Sequence, residues 1–339
     1  MVSDNIWDMK PATEKQHYVP QYYLWAWSDD GGKHIWRRSR GKDSERGLIR
    51  NTACFRNGYS LPELTIAELT ELDERSKDLC LDASQRRMYF SGCLYTMLVH
   101  KIDTATPDAS ECCRYAVEHA MLNDGAVENL NRRIRLKIEP RALPEGYLFE
   151  QGKLSTEGLE RLMTITEEFA KPALKGLREK GLVALRHSLD SAFAIYLARQ
   201  FYRTKQYFAI PDKRCPSDRI KFYLRMLEAD RLSAWFHDHG PATFTALPNL
   251  TDVPYVTSDQ PVINLSSNSK YFDLYYPVSP KLSIMFLLKG RFEECYARFG
   301  TVGLAQVQEL NQNIADVAHD EIYGVSEFML NEMEFGSKV

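Results

Sequence analysis

The chain has 339 residues, and its 43 Lys and Arg against 46 Asp and Glu give a formal net charge of −3. Hydrophobic residues make up 44% and charged residues 26% of it, which excludes a disordered, collagen-like or low-complexity chain. The near-neutral total argues against a protein that is basic throughout and binds nucleic acid by charge alone, although it does not exclude local basic patches.

The sequence lacks signals for export and membrane insertion, and it has none of the common catalytic motifs. No stretch approaches the roughly 18 consecutive apolar residues of a membrane-spanning helix, and residues 1–15 lack the apolar core of a signal peptide. The seven cysteines form no CxxC pair, which favours reduced thiols over structural zinc. We therefore expect a cytoplasmic protein without a membrane partner. No metal ligands are assigned, and the cofactor is left open.

Short strands are expected in the N-terminal segment, residues 1–60. The stretch HIWRRS at 34–39 alternates in polarity and follows Asp-Asp-Gly-Gly, a strong turn signal. The aromatic run before that turn, residues 22–27, suits either a strand or a short buried helix.

Helices are expected through the middle of the chain, residues 61–240, where apolar residues recur at helical spacing. Pro172 should break or kink one of these helices, and Gly181 should end it. The predicted helices cover 64–90, 90–100, 111–133, 155–180, 182–208 and 217–240.

Strands return in the C-terminal segment, residues 241–339, and a closing helix is expected at 304–318. The predicted strands are 255–257, 262–264, 272–276, 282–288 and 321–325. The sequence thus predicts an α+β fold, with a mixed or antiparallel sheet built from N- and C-terminal strands around a mostly helical middle. If both ends share one sheet, residues 1–339 form one compact unit.

Charge is unevenly distributed along the chain. Residues 32–57 have eight Lys and Arg against two acids, and residues 199–231 have nine against four, whereas the tail from 305 has one against seven. Basic and acidic faces that pair across the fold would explain this pattern. Alternatively, the basic stretches and the nearby aromatic residues could bind nucleic acid or a nucleotide.

The first candidate site residues lie in the sequence HYVPQ. Pro20 fixes its own φ and favours an extended Val19, so His17 and Gln21 should lie on the same side of a stiff backbone. An imidazole is a usable acid or base near neutral pH. The structural alternative is a histidine that is hydrogen-bonded in a turn.

A second candidate group lies on the predicted 182–208 helix. Gln200 and Arg203 share one side of it with Tyr196, Arg199 and Tyr207. Guanidinium groups bind phosphate or carboxylate in a bidentate manner. The alternative is that these arginines pair with internal acids.

A third group, Ser258 and Asp259, lies in the sequence TSDQP between two predicted strands, and Asn311 lies on the closing helix. Asp259 could orient His17 or a water molecule, or it could only bond the main chain, as aspartates in turns do.

Five segments resemble, in the same order, a family of unknown function that is widespread in bacteria and begins with an HYVPQ-type sequence. They are HYVPQYYL, RQFYRT, TSDQP and YPVSP, and LNQN with Asn311. As motifs these are an HYVPQ opening followed by QxxRT, SDxP and PxSP, and the resemblance runs from about residue 17 to 324. It implies that seven dispersed polar residues form a site, although the family has no settled activity. These residues are His17, Gln21, Gln200, Arg203, Ser258, Asp259 and Asn311.

We weigh three hypotheses for these residues. In the first, the protein is a metal-independent, nuclease-like or nucleotide-directed enzyme with a bacterial stress or defence role. Its catalytic residues would be His17 and Asp259, and its substrate-binding residues Gln21, Gln200, Arg203, Ser258 and Asn311. In the second, the same residues bind an anionic small ligand, nucleic acid or protein without turnover. In the third, they form a buried hydrogen-bond network.

Overall fold

Strands from both ends of the chain and helices from its middle build the architecture of this computed structural model. It describes residues 15–56, 63–78, 94–95, 97–99, 101–102, 104–119, 121–122, 124, 126–128, 130, 154–185, 190–204, 217–239, 244–266, 273–287 and 302–337. The predicted α+β class, with antiparallel sheets of N- and C-terminal strands around a helical middle, is confirmed.

The helices and strands have the following bounds. The strands are β1 (Lys15–His17), β2 (His34–Ser39), β3 (Ser44–Leu48), β4 (Cys54–Arg56), β5 (Phe244–Pro248), β6 (Thr257–Ser258), β7 (Ile263–Asn264), β8 (Leu274–Ser279), β9 (Leu282–Phe286) and β10 (Glu321–Gly324). The helices are α1 (Gln21–Leu24), α2 (Ile66–Asp78), α3 (Ala109–Glu118), α4 (Leu154–Lys180), α5 (Asp190–Tyr202), α6 (Asp218–His239), α7 (Leu304–Val317) and α8 (Glu327–Asn331). None of the helices in the described ranges combines the length and apolarity that a bilayer crossing requires.

The chain divides into two compact units. The first unit consists of Met1–Gln16, Arg56–Thr164 and Asp212–Leu227, and the second of His17–Phe55, Ile165–Pro211 and Glu228–Val339. The organisation of residues 1–339 as one compact unit stays a prediction.

The first unit contains α2 and α3. Thr65 and Glu68 begin α2 with reciprocal bonds, because the Thr65 N–H donates to Glu68 Oε2 at 2.9 Å and the Glu68 N–H donates to Thr65 Oγ1 at 3.3 Å. Such a capping box satisfies main-chain donors that the first helical turn leaves without partners.

The predicted 90–100 helix lies largely outside the described residues, as do Tyr207 and residues 131–153.

One antiparallel sheet of the second unit joins the two ends of the chain in the order β3-β2-β10-β6. The C-terminal strand β10 pairs with β2 on one side and with β6 on the other, and Ile322 lies opposite Ser258. The expectation that both strand-rich ends share a sheet is therefore confirmed. This register continues to Asp259, whose N–H donates to the Glu321 carbonyl at 3.0 Å.

The basic residues of this sheet bind the C-terminal part of the chain. Arg37 pairs with Glu45 at 2.5 Å and lies 3.6 Å from Glu321. Arg40 donates to the carbonyls of Ala318 and His319 at 2.8 and 3.3 Å. The basic stretch and the acidic tail therefore meet within the fold, as the pairing of oppositely charged faces predicts.

The other four-stranded sheet, in the order β5-β9-β8-β7, is covered on both faces. Alternate residues of β8 belong to different apolar clusters, because successive side chains of a strand point to opposite faces. Tyr276 packs with α1 and α5 residues such as Tyr23 and Phe193, whereas Tyr275 packs with α7 residues such as Leu310.

Several boundaries differ from the predicted ones. The predicted 182–208 helix is a 3-10 turn over Gly181–Leu185 followed by α5, which begins at Asp190 and ends at Tyr202. Gly181 ends α4 with φ of +62°, a conformation that glycine adopts without steric cost. The aromatic run after Pro20 is a short helix, the second of the two predicted alternatives. Strand β5 and helix α8 were not predicted.

Candidate functional site

The main chain of Tyr18 is the point at which the HYVPQ and RQFYRT segments meet in the second unit. The Tyr18 N–H donates to the Ala53 carbonyl at 3.0 Å. The Tyr18 carbonyl accepts hydrogen bonds from Gln200 Nε2 at 2.8 Å and from Arg203 Nε at 2.7 Å. The end of α5 thus holds the HYVPQ segment through side chains that reach its backbone.

Arg203 is buried, with 4% of its surface exposed, and it also forms an ion pair. Its Nη1 lies 2.7 Å from Glu167 Oε1, so this arginine pairs with an internal acid. Burial raises the pKa of the Glu167 carboxyl, and the charge of Arg203 offsets only part of that effect. The role of Arg203 and Gln200 in binding a substrate stays a prediction, since the contacts described here join them to the protein.

His17 and Gln21 lie on the same side of the segment. Gln21 Nε2 is 3.4 Å from His17 Nδ1 across the turn that Pro20 begins. An amide N–H that donates to Nδ1 selects the neutral imidazole with its proton on Nε2, whereas the flipped amide would select the other tautomer. Gln21 therefore orients the half-buried imidazole in either state.

Asp259 is 1% exposed and its carboxylate is held by the main chain. Oδ1 accepts the His319 N–H at 2.9 Å, and Oδ2 accepts the N–H groups of Asp320 and Glu321 at 2.7 and 3.2 Å. Burial raises the pKa of Asp259 to about 7, and the negative charges of Glu321 and Asp320 act in the same direction. Among the described residues it makes no hydrogen bond to His17, so an orienting role for Asp259 stays a prediction.

The Asp259 carboxylate acts electrostatically on the Tyr18 side chain of the HYVPQ segment. Burial raises the pKa of the Tyr18 hydroxyl, and the charges of Asp259, Glu321 and Asp320 raise it further. The Tyr323 hydroxyl donates to Glu321 Oε2 at 2.9 Å. Two phenols therefore border a group of three carboxylates.

Ser258 and Gln260 tie the TSDQP segment to the end of α5. Ser258 Oγ donates to the Gln260 carbonyl at 2.9 Å and accepts the Gln260 N–H at 3.0 Å. The Gln260 side chain accepts a hydrogen bond from the Thr204 hydroxyl and donates to the Val262 carbonyl at 2.7 Å. The structure thus brings the TSDQP and RQFYRT segments into direct contact.

Asn311 holds the backbone that leads into β6. Its Oδ1 accepts the Val256 N–H at 3.0 Å, and its Nδ2 donates to the Pro254 carbonyl at 2.9 Å. Like Ser258, it is buried and bonds to main-chain groups. A substrate-binding role for these two residues stays a prediction.

His319 and Asp320, which immediately precede β10, were not among the predicted site residues. His319 Nδ1 lies 3.0 Å from Asp320 Oδ2. Together with Asp259 they offer donor atoms that all lie within 4.8 Å of one another. The sequence signal was a His-Asp pair directly before a predicted strand. That pair lies beside Asp259 only because β6 is the strand next to β10.

Fold and site together define an α+β protein in which buried polar side chains of distant motifs hold the main chain. The chain belongs to the family described as "Protein of unknown function (DUF4238)", whose model matches residues 15–246, more than half of the chain. The match contains HYVPQYYL and RQFYRT, whereas the TSDQP, YPVSP and LNQN segments lie beyond it. No curated protein and no solved structure matches the chain.

Proposed function

We propose that the second unit is a hydrolase of phosphoesters, nuclease-like or nucleotide-directed, with His17 as its acid–base residue. The observation that carries the proposal is the fixation of the backbone beside His17. Tyr18 is bonded at its N–H and twice at its carbonyl, by Gln200 and Arg203. Catalytic groups need such support, because small displacements of the reacting groups lower the rate strongly.

Imidazole chemistry suits this position. An imidazole can both accept and donate a proton near neutral pH. Gln21 can accept from or donate to Nδ1, so it can follow the imidazole through a change of tautomer. In this proposal Gln200 and Arg203 are positioning residues that act through the Tyr18 backbone.

An exposed aromatic ring in the same segment supports a nucleotide substrate. Trp25 is 53% exposed, although it directly follows α1 and both Leu24 and Trp27 are buried. A nucleobase stacks on such a ring face with little dependence on sequence. The family resemblance alone suggests a bacterial stress or defence role, and the unoxidised thiols of Cys112 and Cys113 are compatible with a reducing cytoplasm.

The test is hydrolysis of bis(p-nitrophenyl) phosphate and of a single-stranded oligonucleotide by the purified chain. We expect His17→Ala to lose turnover by about 100-fold or more while the thermal unfolding midpoint is retained. His34→Ala is the matched control, since His34 is a partly exposed histidine of the same unit that bonds Asp30 at 2.5 Å. Absence of turnover in the wild type, or equal turnover in His17→Ala, would overturn the proposal.

The non-catalytic alternative gives a different result in the same experiment. A binding module would retain the oligonucleotide without forming product, and His17→Ala would leave its affinity unchanged. The difference in tryptophan fluorescence between the wild type and Trp25→Phe reports that binding, because the chain has five tryptophans and a stacked base quenches the indole of Trp25.

A further inference from the structure

The sheet itself sets three potential metal ligands side by side. Asp259 directly follows β6, and His319 and Asp320 directly precede β10, its antiparallel neighbour. The end of one strand and the beginning of its neighbour lie at the same sheet edge. Asp259 and His319, which are 60 positions apart in sequence, are therefore adjacent, and the His319 N–H donates to Asp259 Oδ1.

The hydrogen bonds from the main chain do not use every lone pair that could coordinate a cation at this edge. Asp259 Oδ2 accepts two N–H groups, whereas Oδ1 accepts one, so Oδ1 keeps a lone pair. His319 Nδ1 is shut off from solvent and makes no hydrogen bond within the described part of the chain, although Asp320 Oδ2 is 3.0 Å away. His319 Nδ1 thus faces the carboxylate of Asp320 but does not form a hydrogen bond with it.

Negative charge gathers at this edge. The charges of Glu321 and Asp320 act on the Asp259 carboxyl and raise its pKa, and Arg37 Nη1 is 3.6 Å from Glu321 Oε1. Arg40 donates to the carbonyls of Ala318 and His319. A bound cation would offset the repulsion among the carboxylates more directly than these arginines do.

We propose that Asp259, His319 and Asp320 bind a divalent transition-metal cation of the Mn²⁺ or Zn²⁺ class. One imidazole and two carboxylates are a donor set for such ions, whereas Mg²⁺ and Ca²⁺ prefer oxygen ligands alone. The 3.0 Å between His319 Nδ1 and Asp320 Oδ2 fits neighbouring ligands, since bonds of about 2.1 Å at right angles separate two donors by about 3.0 Å. Both side chains are partly exposed, although the Nδ1 atom of His319 is not.

The experiment measures binding without reference to activity. The full chain is treated with a chelator, and Mn²⁺ is then added while its free concentration is followed by electron paramagnetic resonance. Thermal unfolding is measured in parallel, because a ligand that binds only the folded state raises the midpoint. We expect saturable binding of Mn²⁺ by the wild type and displacement by Zn²⁺.

Two substitutions and one control locate the ion. His319→Ala and Asp320→Asn should each weaken Mn²⁺ binding by at least about tenfold, since even an outer-shell partner is worth that much. Asp259→Asn is avoided, because its amide N–H would face main-chain donors and destabilise the fold. Asp30→Asn is the matched control, since Asp30 forms an aspartate–histidine pair with His34 elsewhere in the unit.

Three results would overturn the metal site. They are no binding at millimolar Mn²⁺ or Zn²⁺, binding that survives both substitutions, and equally strong binding of Mg²⁺ or Ca²⁺. The inference goes beyond the proposed hydrolase and fails separately from it. His17→Ala should bind Mn²⁺ normally, and an inactive protein that binds Mn²⁺ at His319 would reject only the hydrolase.

Discussion

Arg203 and Glu167 form an ion pair inside the second unit, with Nη1 and Oε1 2.7 Å apart, 36 residues distant in sequence. The same guanidinium donates through Nε to the Tyr18 carbonyl. A single side chain therefore joins α4, the end of α5 and the HYVPQ segment. Its planar set of donors suits this task, because the directions of the two bonds are fixed relative to each other.

Removing this guanidinium should destabilise the protein strongly. Arg203→Ala leaves the Glu167 carboxylate largely buried without its cation, and we expect a loss of about 3 kcal/mol in the free energy of unfolding. Urea unfolding followed by circular dichroism measures it. Arg46→Ala is the control, since Arg46 is 42% exposed and pairs with Asp29. That exposed pair should contribute little to the free energy of unfolding, because solvent screens it. Equal losses in both variants would contradict the assignment.

The same pair should make stability depend on pH. Burial raises the pKa of Glu167 in the folded state, so the folded chain holds this proton more tightly than the unfolded chain does. The stabilisation that comes from this tighter proton binding is fully present below the unfolded pKa of about 4.3. It is lost as pH rises through the raised pKa of Glu167 in the folded state. Glu167→Gln should flatten that part of the profile of urea midpoint against pH. A profile identical to the wild type would show that Glu167 is not responsible.

The Tyr23 hydroxyl should contribute to stability beyond the packing of its ring. It bonds Thr257 Oγ1 and the Pro277 carbonyl, both at 2.7 Å, in a fully buried position. Tyr23→Phe leaves these groups without that partner, and we expect a loss of about 1–3 kcal/mol. Trp25→Phe, at an exposed position two residues later, should change the urea midpoint little. A Tyr23→Phe variant as stable as the wild type would contradict this.

The vicinal thiols of the first unit should be inert in the folded protein. Burial raises the pKa of Cys112 to about 12 and that of Cys113 to about 11. Since the thiolate is the reactive form, iodoacetamide near neutral pH should label both residues only after urea is added. Mass spectrometry of tryptic peptides measures the labelling. Rapid modification of the native protein would mean that this helix opens readily.

Local signals predicted much of the fold. The turn before β2, Pro20 before α1 and the glycine that ends α4 each act within a few residues, so the sequence reveals them directly. Strand β5 lacked such a signal, because FTALP shows no clear alternation and is preceded by Pro241. Short elements like α8 depend on their packing, which the sequence does not display.

The candidate site was only partly accessible from sequence for a related reason. His17, Gln200, Arg203 and Asp259 were singled out by residue type, but their partners are set by pairings across the fold. Glu167 could not be matched with Arg203 before α4 and α5 were placed. The group of Asp259 with His319 and Asp320 depends on β6 and β10 being neighbours, which no local pattern specifies.

The position of β10 between β2 and β6 determines when the second unit can complete its folding during synthesis. During synthesis the hairpin of β2 and β3 leaves the ribosome about 270 residues before β10 does, at roughly 5–20 residues per second. Until then β2 presents an open hydrogen-bonding edge that invites association with other chains. Closure over so long a stretch of chain is also intrinsically slow. Newly made copies should therefore depend on chaperones, and C-terminally interrupted chains should aggregate rather than persist as folded fragments.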